Sequence, residues 1–277
     1  MTAISSLLEA RYGSPSENGT GSASANPTLE TLLQHRSVRN FLPQSLAPGT
    51  LEVLVAAGQS AATSSNLQTW SVVAVQDAER KAQAATLSAD QEFIRAAPLF
   101  LVFCADLGRL TRVSERHGHA GTGLEYTEMF LMASIDAALA AQNVSVAAES
   151  LGLGICYVGA VRNQPRAMAD LLGLPGRVIA LFGLSVGVPD PANPASVKPR
   201  LPVAEVLHRE TWVADREKQD AQITHYDDAI ASFNAGQKRE GIPAWSERSA
   251  KRVATVESLS GRHVWNDVLK ERGFDLK

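Results

Sequence analysis

The chain has 277 residues, a formal net charge of -3 and 45% hydrophobic residues, long enough to enclose a sizeable core in one large domain or two small ones. So small a net charge excludes a general nucleic-acid binder, which needs a broad basic surface. It leaves room for one local anion site.

The elements follow in chain order. Residues 1–27 read as a flexible arm. LLEARYG can make a helical turn, and SPSENGTGSASANP after it is rich in Ser, Gly, Asn and Pro. Residues 28–277 read as a single domain. Thr28 to Gln34 carries Leu29, Leu32 and Leu33 at helical spacing and ends at HRSVR, residues 35–39. Thr50 is the expected N-cap of a helix over LEVLVAAGQSA. SSNLQ is a polar break, WSVVAVQ a strand and DAERKAQAATL a helix. LFLVFCAD, Leu99 to Asp106, is continuously apolar, as a strand buried on both faces should be. Residues 107–123 read as an irregular excursion. Glu125 to Leu151 predicts one long helix rich in small residues and apolar on most sides, hence covered by the fold or by a partner. Gly152 and Gly154 end it. ICYVGAV is a strand, PRAMADLLG a helix opened by Pro165, and VIALFGLSVG a further strand. PDPANPASVKPRLP then has five prolines in fourteen residues, which excludes a central strand or helix interior. Polar helical segments around 215–235 and 246–271 complete an excursion, from about 203 to 277, expected to pack on the core or on a partner subunit. Strands alternating with helices predict an α/β or α+β fold with one main sheet.

The familiar chemical markers are missing. GLGICYVG has Tyr157 where a dinucleotide-binding loop needs its third glycine, and no P-loop, HExxH or GxSxG occurs. His117, His119 and Glu115 have no further ligand candidate near them in sequence, so no metal site is expected. Cys104 and Cys156 sit in apolar runs and read as buried, reduced thiols. The N-terminus lacks a charged segment followed by an apolar one, and no uninterrupted apolar stretch approaches the ~18 residues of a membrane span. A cytoplasmic location without membrane attachment follows. What remains is a set of polar clusters at element edges: HRSVR, SSNLQTW at 64–70, Asp90-Gln91, YVGA at 157–160 and KPR at 198–200. Each alone reads as ordinary surface.

Together these clusters resemble, in order and spacing, the flavin-binding segments of the nitroreductase family, in its NADPH-preferring group of oxygen-insensitive nitroreductases and FMN reductases. The resemblance rests on His35-Arg36-Ser37-Val38-Arg39-Asn40-Phe41, on Thr63 to Gln68, on Phe100 to Asp106, on Ala141 to Gly154, on Tyr157 to Asn163 and on Lys198 to Pro202. It implies an α+β fold with a central mixed sheet flanked by helices, assembled as an intertwined homodimer with FMN between the subunits. It implies that His35, Arg36 and Ser37, with Lys198 and Arg200, hold the phosphate and ribityl chain of FMN. Arg39 would lie near the N1/O2 edge. Ser64, Ser65, Asn66 and Gln91 would bond the ring edge or the ribityl hydroxyls. The backbone of Tyr157, Val158, Gly159 and Ala160 would approach N5, with Ala160 standing where many members have a second glycine.

The activity implied is an FMN-dependent NADPH oxidoreductase that passes two electrons by a ping-pong mechanism to small-molecule acceptors such as nitroaromatics, quinones or flavins. No side-chain catalyst is required, because the flavin carries the chemistry. Lys238, Arg239 and Arg262 are the candidates for the 2′-phosphate of NADPH. Two alternatives are a dedicated flavin reductase supplying a partner oxygenase, and a non-catalytic FMN-binding or sensor protein.

Overall fold

A computed structural model describes residues 4–13 and 24–277. In chain order the elements are α1 (Ile4–Tyr12), α2 (Pro27–Leu33), α3 (Thr50–Gln59), β1 (Trp70–Val75), α4 (Ala78–Leu87), α5 (Glu92–Ala96), β2 (Leu99–Asp106), α6 (Gly108–Arg116), α7 (Thr127–Ser150), β3 (Gly154–Val158), α8 (Pro165–Leu172), β4 (Val178–Gly187), α9 (Val203–Val206), α10 (Arg216–Gly236), α11 (Trp245–Arg252) and α12 (Trp265–Glu271). They form two compact units. One contains the residues up to Arg36 together with Ser196–Leu259; the other contains Ser37–Ala195 and Ser260–Lys277. Of the expected arm, α1 is a helix, and residues 14–23 lie outside the described residues.

The second unit is built on a four-stranded sheet in the order β1-β2-β4-β3. All three ladders are antiparallel, and among the described residues the parallel component is a single bridge between Ser37 and Ile155. All eight residues of β2 are buried, as its unbroken apolar run requires of a strand covered on both faces. On one face Phe100, Val102 and Cys104 pack with Ile94 and Met168. On the other, Leu99, Leu101 and Phe103 pack with Leu54 of α3 and Val144 of α7. Both thiols are buried, and desolvation pushes that of Cys104 up to about 12. A bulge between Phe103 and Cys104 leaves Leu181 of β4 unpaired.

Three local expectations are corrected. Thr50 is the first residue of α3, not its cap: the cap is Gly49, at φ 80, a left-handed conformation that glycine adopts without a Cβ penalty. Residues 107–123 are not irregular throughout, because Gly108–Arg116 forms α6. Its start is held by Asp106, whose Oδ1 accepts from Arg109 N at 3.1 Å, and in GRLTRVSER only Leu110 and Val113, three residues apart, mark an apolar side. The strand expected over ICYVGAV stops at Val158, and Gly159–Arg162 is a 3-10 turn.

Two glycines make room for the segment after HRS. Gly154 and Gly187 face each other across β3 and β4. A Cβ on Gly154 would meet Val38 at 2.8 Å, and one on Gly187 would meet Phe41 at 2.8 Å. Val38 and Phe41 therefore lie in a trough that no side chain fills. Backbone bonds lock the position: Val38 N donates to Ile155 O at 2.8 Å, and Leu42 N to Val188 O at 2.9 Å.

Helix α7 is long and apolar enough, by length and composition alone, to cross a membrane. Its inner face packs on the sheet through Ala140, Ala141, Val144 and Ala148, and Asp136 puts a buried carboxylate at mid-helix. Substituting Gly154→Ala is expected to destabilise the protein by about 1–3 kcal/mol through overpacking against Val38. Urea unfolding measures this; a loss below about 0.5 kcal/mol would show that Val38 moves aside freely.

Candidate functional site

In the first unit a single buried guanidinium organises the predicted anion-binding residues. Arg11 of α1 is 7% exposed. It donates to the carbonyls of Leu33 at 2.6 Å, His35 at 2.9 Å and Lys198 at 3.2 Å. Arg200 N donates back to Arg11 O at 2.9 Å. Tyr226 of α10 adds a bond from its hydroxyl to Pro199 O at 2.9 Å. The extended KPR strip thus buries Pro199 and turns Lys198 and Arg200 outward. His35 is half-buried, whereas Arg36 is exposed and reaches Gln34 O at 3.3 Å. His35, Arg36, Lys198 and Arg200 are brought together by the fold. Lys238 and Arg239 are exposed just past α10, with Lys238 at φ 54.

In the second unit the candidates fall into two groups. One lies along β3. The bridge from Ser37 to Ile155 is parallel, so Arg39 runs abreast of Tyr157. Its guanidinium lies 5.8 Å from the ring centroid of Phe93, a cation–π contact two residues beyond Gln91. Gln91 follows a bend at Ala89 and Asp90, both at positive φ, and its amide donates to Ser88 O at 2.9 Å. Burial raises the Cys156 thiol, and the Arg39 charge partly offsets this. The Tyr157 hydroxyl accepts from Ser145 of α7 at 3.0 Å. Beyond Val158 the turn at Gly159–Arg162 is fastened twice. Arg162 donates to Leu181 O, the carbonyl of the bulge residue, and Trp265 Nε1 donates to Arg162 O at 3.0 Å. Arg262 is fixed next to the turn by a 2.9 Å bond to Asn163 Oδ1. Ala160 needs no positive φ; an ordinary backbone suffices there.

The other group, Ser64, Ser65 and Asn66, lies at the opposite edge of the sheet, in the loop that leads into β1. Ser65, Asn66 and Gln68 have φ of 48, 55 and 51, a left-handed region that non-glycine residues seldom occupy. Three inter-strand steps place β1 and β3 on the order of 14 Å apart. A relay of rings spans the gap, Trp70 to Phe103 at 6.1 Å, Phe103 to Phe182 at 5.6 Å and Phe182 to Tyr157 at 5.7 Å. One copy of the chain therefore does not bring Ser64–Asn66 to the residues around Tyr157.

Two organising residues were not singled out from the sequence. Arg11 lies in LLEARYG, and 187 residues separate it from Lys198, so no local pattern marks it. Asp136 appears in the sequence only as a polar break in an apolar helix.

The nitroreductase family profile matches residues 32–187, and the profile for that family's C-terminal domain matches residues 198–277. The chain belongs to the nitroreductase family. This nitroreductase is 40% identical to an FMN reductase (NADPH) of Bacillus subtilis over 254 residues, 90% of this chain and 99% of that protein. It is 34% identical to an NADPH-flavin oxidoreductase of Vibrio harveyi, covering 83% of this chain and 92% of that protein. Among solved structures, a B. subtilis nitroreductase superposes with a TM-score of 0.84 at 39% identity, covering 90% of this chain and 99% of that one. An NADPH:FMN oxidoreductase from Vibrio harveyi, solved with NAD+, gives 0.80 at 32% identity, covering 91% and 100%.

In this nitroreductase, Arg11→Met keeps much of the volume but removes every donor. The carbonyls of Leu33 and His35 lose this donor, and that of Lys198 keeps only Arg200 Nη1 at 3.0 Å, so stability is expected to fall by about 2–4 kcal/mol. Denaturant unfolding measures the loss, and a change under about 1 kcal/mol would remove Arg11 as the organiser of the KPR strip.

Proposed function

We propose that the protein is an FMN-dependent NADPH oxidoreductase that transfers two electrons, in a ping-pong cycle, to nitroaromatics, quinones or flavins, and that it works as a cytoplasmic homodimer of one catalytic domain per chain. The observation that carries the reading is the grouping of Arg36, Lys198 and Arg200 around the buried Arg11. The names of the relatives support it: an FMN reductase (NADPH), an NADPH-flavin oxidoreductase and, at 36% identity, a Cr(VI) reductase of Pseudomonas.

The donor set suits FMN. His35, Arg36, Ser37, Lys198 and Arg200 supply cations and a hydroxyl for a phosphate dianion, and arginine bonds phosphate in a bidentate manner. Arg39 places a fixed positive charge near the end of β3, where it would stabilise negative charge on the pyrimidine edge of the ring. The 3-10 turn at Gly159 and Ala160 presents backbone to the ring, while Ser64, Ser65, Asn66 and Gln91 offer donors and acceptors. Once bound, FMN supplies the hydride chemistry, so the protein binds, orients and excludes water. Arg262, braced by Asn163 beside that turn, is the best-fixed candidate for the 2′-phosphate of NADPH; Lys238 and Arg239 are more loosely placed.

Two features support the dimer. The candidates of the second unit lie at opposite sheet edges, so a second copy is needed to complete each site. In addition, α7 exposes an apolar stripe: Leu131 is 53% exposed, Ile135 50% and Leu139 43%. These positions recur every four residues and form one face, and a patch of this kind is normally covered by a partner.

The purified protein is expected to be yellow and to bleach anaerobically with NADPH, faster than with NADH. A colourless protein that FMN does not reconstitute would overturn the reading; equal rates with NADH would overturn the NADPH preference alone. Ile135→Glu is expected to weaken dimerisation by about 100-fold or more, because it would bury an unpaired carboxylate. Sedimentation velocity decides this: a wild-type monomer, or a mutant as dimeric as the wild type, would refute the interface.

A further inference from the structure

We infer that Asp136 of α7 is a positioning residue: it holds the loop from Thr63 to Thr69 in the one backbone shape that presents Ser64, Ser65 and Asn66 to the flavin. The inference rests on the FMN reading above, and it assigns a role to a buried acid that takes no part in the electron transfer.

The geometry is specific. Asp136 is 1% exposed, and its two oxygens grip the loop at both ends. Oδ1 accepts from Ser64 N at 3.1 Å. Oδ2 accepts from Thr63 Oγ1 at 2.6 Å, Thr69 N at 3.1 Å and Thr69 Oγ1 at 2.9 Å. The chain between these grips must rise away from the helix and return, and it does so through three left-handed residues, Ser65, Asn66 and Gln68. Such conformations persist only where their surroundings impose them. The bonds within the loop are few: Leu67 N to Ser64 O at 2.9 Å, Asn66 N to Thr63 O at 3.3 Å, Gln68 N to Thr63 Oγ1 at 2.9 Å and Gln68 Nε2 to Asn66 Oδ1 at 3.3 Å. From outside, Arg109 of α6 also takes the Gln68 carbonyl.

Burial alone would raise the Asp136 carboxyl, but the bonds from Thr63, Ser64 and Thr69 outweigh it and hold the group below the usual carboxylate range. The acid is therefore an anion at neutral pH, with donors on both oxygens. Two of these donors are backbone N–H groups, one on each oxygen, and no rotation of theirs can turn them into acceptors. An asparagine has only one acceptor oxygen. Its NH2 group would face either Ser64 N–H or Thr69 N–H, donor against donor, so Asp136→Asn keeps the shape and breaks the grip. Asp136 also sits next to Ile135 of the exposed stripe, so the loop it fixes stands beside the face proposed for the second subunit.

The test compares wild type with Asp136→Asn, Thr63→Val and, as a control on the same helix, Asn143→Ala, which removes only the 3.1 Å bond to Ala57 O of α3. Three readouts are taken: amide exchange at Ser64 and Thr69 in the FMN-free protein, the Kd for FMN by fluorescence titration, and the visible circular dichroism of the bound flavin. Asp136→Asn is expected to speed exchange at both amides and raise the Kd, each by about tenfold or more, and to change the flavin band. Asn143→Ala is expected to lower thermal stability while the Kd and band stay as in wild type. A folded Asp136→Asn protein with a Kd within about twofold of wild type and an unchanged band overturns the inference, as does an equal rise in Kd in the control. If Asp136→Asn does not fold, Thr63→Val decides by the same criteria at about threefold. Wild type that takes up no FMN sinks the flavin reading instead, and amide exchange then still decides whether Asp136 holds the loop.

Discussion

The trough at Gly154 and Gly187 is the constraint on which the arrangement depends. Two glycines opposed across β3 and β4 remove the side chains that would fill one stripe of the sheet, and Val38 and Phe41 take that space. The segment from Ser37 to Leu42 is thereby fixed in register, and Arg39 comes to lie abreast of Tyr157. Any shift by one residue would exchange Val38 with a polar neighbour, Ser37 or Arg39, in an apolar slot. The backbone position of a surface cation is thus set by close packing underneath it, and its contact with Phe93 acts on the side chain alone.

A second device recurs in the polar parts. Exposed or strained segments are held by one buried charged side chain projecting from a helix. Arg11 gathers three carbonyls from two distant segments, and Asp136 gathers both ends of one loop. The two are opposites in sign and in what they satisfy: orphan acceptors in one case, orphan donors in the other. Buried charge is expensive unless fully bonded, and in both cases the bonds are to backbone and hydroxyl groups of the segments held.

The sequence was legible where burial is continuous or where punctuation is local. Val178–Gly187 and Leu99–Asp106 are strands with the bounds their apolar runs suggest. Pro165 opens α8 and Gly173, at φ 62, closes it. Helix α6 was hidden because only Leu110 and Val113 mark its apolar side and the carboxylate that meets its first turn, Asp106, also ends a strand. Arg11 was hidden for a different reason: its meaning lies in chain segments far away in sequence. Asp136 was visible only as an interruption. A lone acid in an Ala-rich helix gives no sign of which loop will come to meet it. The identities of the flavin-site candidates came from resemblance, and periodicity alone would have left each of them as surface.

The bond from Arg11 to Lys198 also imposes an order in time. At ordinary elongation rates, Lys198 leaves the ribosome on the order of ten to forty seconds after Arg11. During that interval α1 has none of its partners from Ser196–Leu259, while β1, β2, β3 and β4, all N-terminal to Lys198, are synthesised. The sheet can therefore form before the residues that gather around Arg11 exist. A chain that ends between Gly187 and Lys198 carries all four strands of the sheet and lacks the cationic strip.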